Sequence, residues 1–126
     1  MKTIITAAFA AFTLMSCAQV GSAHLNVADF AKALQQPEVR LVDVRTVGER
    51  EQGFIAGSEN VDWNSGTLLE QMAATDKDAP VLIYCASGGR SNMALKALEK
   101  AGYTNVHDLT GGMRAWLAAK QPVDKP

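Results

Sequence analysis

Three features of this sequence predict an α/β fold with a mostly parallel central sheet and helices on both faces. Short apolar runs, Leu41-Val42-Asp43-Val44 and Val81-Leu82-Ile83-Tyr84, have the composition of strands buried on both sides. Between them lie stretches whose apolar residues recur at helical spacing, such as Leu68, Leu69, Met72 and Ala73. The run ending at Tyr84 then gives way to Cys85-Ala86-Ser87-Gly88-Gly89-Arg90 and a helical stretch opening at Ser91, in the order strand, tight loop, helix. In such sheets the ligand crevice lies beyond the carboxyl ends of the strands, where this order puts Cys85.

Taken from the start, the chain opens with Lys2, an apolar segment from Ile4 to Met15 and then small residues, the layout of a secretory signal. The segment is too short to span a bilayer as a helix. Two processing sites compete. Leu14-Met15-Ser16-Cys17 resembles the bacterial lipoprotein box, which makes Cys17 a lipidation candidate and would attach the protein to a membrane. Gly21-Ser22-Ala23 supplies the small residues for cleavage between 23 and 24, which would release a soluble protein. Residues 1–23 are thus read as the signal and 24–126 as the domain, with the periplasm as the expected compartment.

The remaining 24–126 have room for one domain. The whole chain is 48% apolar and 20% charged, an ordinary globular composition, and its net charge of −1 gives no electrostatic case for nucleic acid. Val27, Phe30, Ala31 and Leu34 mark a first helix, with Asn26 as N-cap and Pro37 beyond its end. The strand Leu41–Val44 follows, and its Asp43 needs partners, either backbone or an arginine such as Arg45. A short polar helix is expected over Thr46 to Gln52, a loop over Gly53 to Gly57 and a small strand over Asn60 to Asp62. The Leu68–Ala73 helix and the strand Val81–Tyr84 come next. After the Cys85 loop, Ala94, Ala97, Leu98 and Ala101 form one helical face, stopped by Gly102. Asn105 to Leu109 is a last strand, and Gly111-Gly112 leads into a helix with Met113, Trp116 and Leu117 on one side.

Cys85 is the candidate nucleophile. The N-terminus of the following helix favours an anion, and the thiolate is one. Gly88 and Gly89 allow the tight backbone that turns successive N–H groups toward one point. A buried structural cysteine is the alternative. Cys85 has no disulfide partner in a mature soluble form and no Cys-x-x-Cys pair is present, so an exported chain keeping this thiol points to a reactive role. No cluster of Cys, His and acids has metal-ligand spacing, and no cofactor is expected. His24, at the start of the domain, and His107, in a strand, carry no catalytic expectation.

At this level the chain resembles a single-domain rhodanese, a sulfurtransferase, over nearly all of 24–126. The matching pieces are Leu41-Val42-Asp43-Val44-Arg45 with Glu49, Gly53-x-Ile55-x-Gly57, Tyr84-Cys85-x-Ser87-Gly88-x-Arg90-Ser91, Gly102-Tyr103, and Gly111-Gly112 with Trp116. The resemblance implies that Cys85 takes a sulfane sulfur from a donor such as thiosulfate, holds it as a persulfide, and passes it to a thiol or cyanide. It makes Ala86, Ser87, Gly88, Gly89 and Arg90 the substrate loop. Asp43, Arg45, Glu49 and Ser91 are taken as supports of that loop. Arg90 has two readings, drawing the anionic donor or bracing the loop through Asp43 or Glu49. The sequence departs from the family pattern at Arg50, Phe54, Ala56 and Ala86, where an aromatic residue, His, Pro and a basic side chain are common.

Two other functions compete. A non-catalytic rhodanese-like module could bind a partner or report redox state, although such modules often lose the cysteine. A cysteine phosphatase or arsenate reductase also runs from Cys to Arg after a strand, but with one more residue between them. Here four residues separate Cys85 from Arg90, and the smaller ring favours sulfur.

Overall fold

Alternate residues of the central strands feed two separate cores, one on each face of the sheet. The computed structural model describes residues 21–126; Cys17 and most of the export segment lie outside them. The elements are β1 (Ala23–Leu25), α1 (Val27–Ala33), β2 (Arg40–Asp43), α2 (Val47–Glu51), β3 (Glu59–Asn60), a 3₁₀ turn (Trp63–Ser65), α3 (Leu68–Met72), β4 (Val81–Tyr84), α4 (Gly89–Lys100), β5 (Val106–Leu109) and α5 (Gly112–Ala118). All strand pairs are parallel, in the order β1-β5-β4-β2-β3. On one face Val42, Val81, Ile83 and Val106 meet Leu68 and Met72 of α3 and Ala94, Leu95 and Leu98 of α4. On the other, Leu41, Leu82, Tyr84 and Leu109 meet Phe30 of α1 and Met113 and Trp116 of α5. Phe30 and Trp116 pack edge to face, with centroids 6.2 Å apart. The period of two explains why these runs look uniformly apolar: both sides of each strand are buried.

The fold is the α/β architecture expected, and the local differences have physical reasons. β1 has no counterpart in the sequence reading, because a three-residue, largely exposed edge strand carries no apolar alternation. α4 begins at Gly89 rather than Ser91, with Gly88 at φ +111° as its N-cap, so the loop glycines become the cap and first residue of the helix. Its buried face is Ser91, Ala94, Leu95 and Leu98; Ala101 is exposed. β3 spans Glu59–Asn60 rather than Asn60 to Asp62, and β5 starts one residue after Asn105. Leu117 does not share the buried side of Met113 and Trp116; it is 52% exposed.

Candidate active site

The carboxyl end of β4 delivers Cys85 to the base of the loop, 1% exposed and without a disulfide partner among the described residues. The Gly88 N–H points at its Sγ at 3.1 Å, and the Sγ lies 3.5 Å from Ser91 Oγ. Burial pushes the thiol up. The Ser91 hydroxyl and the N–H groups of Ser91, Gly88 and Ser87 pull it down, and the net effect holds Cys85 below the ordinary thiol value.

The ring is closed from below by α5. Met113 N–H donates to the Cys85 carbonyl at 2.8 Å and Arg114 N–H to the Ala86 carbonyl at 3.0 Å. With these carbonyls drawn downward, the loop amides are left to face the sulfur. Such an approach requires Gly112. At φ +55°, a side chain there would put its Cβ 2.4 Å from the Cys85 carbonyl oxygen.

Arg90 does not reach Asp43. Both guanidinium ends are taken by Glu49, Nη1 to Oε1 at 2.6 Å and Nη2 to Oε2 at 2.8 Å. That pairing holds the Glu49 carboxyl down at about 2, against its slight burial and with help from Thr46. Glu49 also closes a capping box with Thr46 at the start of α2, so the ion pair ties α2 to the first turn of α4.

Asp43 is fully buried and anchors a different cluster. Its Oδ1 accepts from Arg45 Nε at 2.9 Å, and its Oδ2 accepts from Arg45 Nη2 at 2.8 Å, Arg50 Nη1 at 3.2 Å and the Tyr84 hydroxyl at 3.0 Å. Arg45 reaches on to the Gly53 carbonyl and Arg50 to Ser58, while Tyr84 accepts from the Ile55 N–H. The cluster therefore fixes the Gly53–Ser58 segment against the residue that precedes Cys85. Arg50 and Phe54, two of the departures from the family pattern, compensate each other: the Arg50 guanidinium lies over the Phe54 ring at 4.1 Å.

On the opposite flank stand two residues that the sequence reading left without a role. Ser91 Oγ donates to Asp108 Oδ2 at 2.9 Å, and Asp108 Oδ1 meets His24 Nδ1 at 2.5 Å. An acid inside the short strand Val106–Leu109 was the available signal, by the same logic that singles out Asp43. Two clefts border the loop. One of about 520 Å³ is lined by His24, Ser87, Gly88, Asn92, Asp108 and Gly111, and one of about 400 Å³ by Arg45, Glu49, Gln52, Ala86, Met113 and Arg114.

A thiol at the end of a central parallel strand, cradled by a four-residue loop and a helix start, is the geometry to compare with known proteins. The rhodanese-like domain pattern matches residues 26–119. The chain belongs to the rhodanese-like domain family. A protein named sulfurtransferase from Allochromatium vinosum is 37% identical over 89 residues, covering 71% of this chain and 81% of that one. Thiosulfate sulfurtransferase GlpE of Pseudomonas paraeruginosa is 31% identical, covering 68% and 76%. The crystal structure of a rhodanese-related protein from Thermoplasma volcanium superposes with a TM-score of 0.71 at 28% identity, covering 82% of this chain and 98% of that one. Cys85, the loop and α5 all lie within the matched rhodanese-like domain, whereas His24 precedes it.

Proposed function

We propose that the protein is a sulfurtransferase in which Cys85 carries the transferred sulfur. The observation that carries this reading is the Gly88 N–H aimed at a buried Sγ at 3.1 Å, inside a loop with four residues between Cys85 and Arg90. The Cys85 thiolate attacks the sulfane sulfur of a donor such as thiosulfate. A Cys85–sulfur bond forms, the donor's S–S bond breaks, and sulfite leaves with the electron pair. Loop N–H groups bind the resulting persulfide anion as they bind the thiolate, so no general base is needed. Cyanide or a thiol then attacks the outer sulfur, and the pair in the cleaved bond returns to Cys85 as thiolate. The names of the sulfurtransferase relatives support this chemistry for the present chain.

With Arg90 paired to Glu49 and Ala86 uncharged, the loop amides are what attract the donor at the sulfur itself. In the Cys85→Ser protein, thiosulfate-dependent thiocyanate formation disappears while the thermal midpoint changes little, because oxygen fits the loop but cannot carry sulfane sulfur. Wild-type protein incubated with thiosulfate gains one sulfur on the Cys85 peptide, removable by cyanide. Turnover in a folded Cys85→Ser protein would falsify the mechanism.

We also propose export to the periplasm, with the lipoprotein-type site at Cys17 favoured over release between 23 and 24. Cleavage after Ala23 would cut through β1, whose Ala23 pairs with His107. The intact mass of the exported protein decides: acyl chains on Cys17 support the proposal, and a chain beginning at His24 overturns the choice of site.

A further inference from the structure

Ser91 has one hydroxyl proton and three acceptors within reach. Gly88 carbonyl oxygen lies at 3.2 Å, Asp108 Oδ2 at 2.9 Å and Cys85 Sγ at 3.5 Å. The first two compete with the sulfur. While Cys85 is a thiol, its S–H can donate to Ser91 Oγ and the Ser91 proton can stay on Asp108. Once Cys85 ionises, the sulfur accepts only, and the Ser91 proton is useful to it only if Asp108 releases that proton. Asp108 is 2% exposed, and its other oxygen is held by His24 Nδ1 at 2.5 Å, from a side chain 54% exposed on the edge strand β1. An N–H donated from the imidazole offsets part of the Asp108 charge.

We propose that His24 and Asp108 are positioning residues that set how readily Cys85 becomes a thiolate, by deciding whether the Ser91 proton serves Asp108 or the sulfur. This rests on Cys85 being the reactive group and goes beyond it, since neither residue belongs to the Cys85–Arg90 loop. The other charges around the sulfur do not form such a chain. Arg90 on α4 is held by Glu49 of α2, Arg114 on α5 is exposed, and His107 on β5 bonds Asn105. His107 is pushed down by burial, with Asp108 acting in the opposite direction. The exposed end of this chain, His24, lies in the cleft that Asp108 also lines.

The two residues therefore act with opposite signs. His24→Ala leaves the Asp108 charge uncompensated, which keeps the Ser91 proton on the carboxylate and disfavours the thiolate. Asp108→Asn removes a buried negative charge beside the sulfur and favours the thiolate. Ionisation is read from the ultraviolet absorbance of the thiolate against pH in the full chain, with the Cys85→Ser protein subtracted to remove every other contribution. The midpoint rises in His24→Ala and falls in Asp108→Asn, each by about half a pH unit, or about threefold in the ionisation constant. The double variant matches Asp108→Asn, because His24 acts through Asp108. Equal midpoints in all variants, or shifts of the same sign in both single variants, overturn the inference. A merely structural role would produce the latter. Sulfur loading of wild-type Cys85 is measured in parallel: its absence overturns the sulfurtransferase reading and leaves the midpoint comparison standing.

Discussion

Two buried carboxylates lie on the strands either side of β4, and they are built differently. Asp43 is surrounded by donors whose charge does not vary near neutral pH, Arg45 and Arg50, together with the Tyr84 hydroxyl, itself pushed up by burial, with Ser58 opposing. Among the described residues, the side chains that bond Asp108 are a serine and a histidine. The first arrangement fixes shape at any pH in which the protein is folded, since arginine does not deprotonate. The second is looser, because the Ser91 hydroxyl can turn its proton between Asp108, the Gly88 carbonyl and Cys85. One acid holds the Gly53–Ser58 segment to the sheet, and the other reaches Cys85 through Ser91.

The sharpest way to break this contrast is to remove Asp43. Asp43→Ala strands the buried Arg45 guanidinium without its counter-charge, and the expected loss is about 3 kcal/mol or more of folding stability. Asp108→Asn keeps hydrogen-bonding atoms in place and should cost much less. Urea denaturation of both variants tests the ranking, and similar losses would mean that the two acids are structurally equivalent.

A smaller effect is expected where the loop is held from below. Gly112→Ala forces a Cβ against the Cys85 and Ala86 backbone and should cost about 2 kcal/mol. Because the displaced atoms carry the loop, sulfur loading of Cys85 should fall further than the stability loss alone would dictate. Loading that remains wild-type in the folded fraction would show that the loop keeps its shape without α5.

The smallest expected effect concerns Glu49. Its carboxyl lies at about 2 in the folded protein against an ordinary 4.5, so its contribution is present above 4.5 and is lost as pH falls through about 2. Glutamine preserves the capping box but not the charge, and the pair is partly exposed, so less than about 1 kcal/mol is at stake. In acid titrations of the thermal midpoint, Glu49→Gln should start slightly lower at neutral pH and converge with wild type at the acid end. Parallel curves would remove Glu49 and Arg90 from the acid response.

The parts of this protein legible in its sequence are those where one stretch of chain carries its own signal. β2 and β4 are readable because burial on both faces leaves an almost unbroken apolar run, and the Cys85 loop because strand, glycines and helix follow within ten residues. Asp43 was marked as an acid that needed partners, and Arg45 stood two residues away. Asp108 gave the same local signal, but its partner His24 is 84 positions distant on a strand too short and exposed to be read. Arg50 and Phe54 looked like two separate departures from a family pattern until the fold stacked one on the other. What sequence periodicity lacks is the pairing of polar groups between strands, which depends on register and not on composition.

The bonds from Met113 and Arg114 to the Cys85 and Ala86 carbonyls also order events during synthesis. A chain still growing past Arg90 already contains every residue of the loop, yet not the helix end that turns its amides inward. In such a chain the Cys85 and Ala86 carbonyls lack the two amides that hold them, so the loop takes its full set of bonds only once residues 113 and 114 are present and docked.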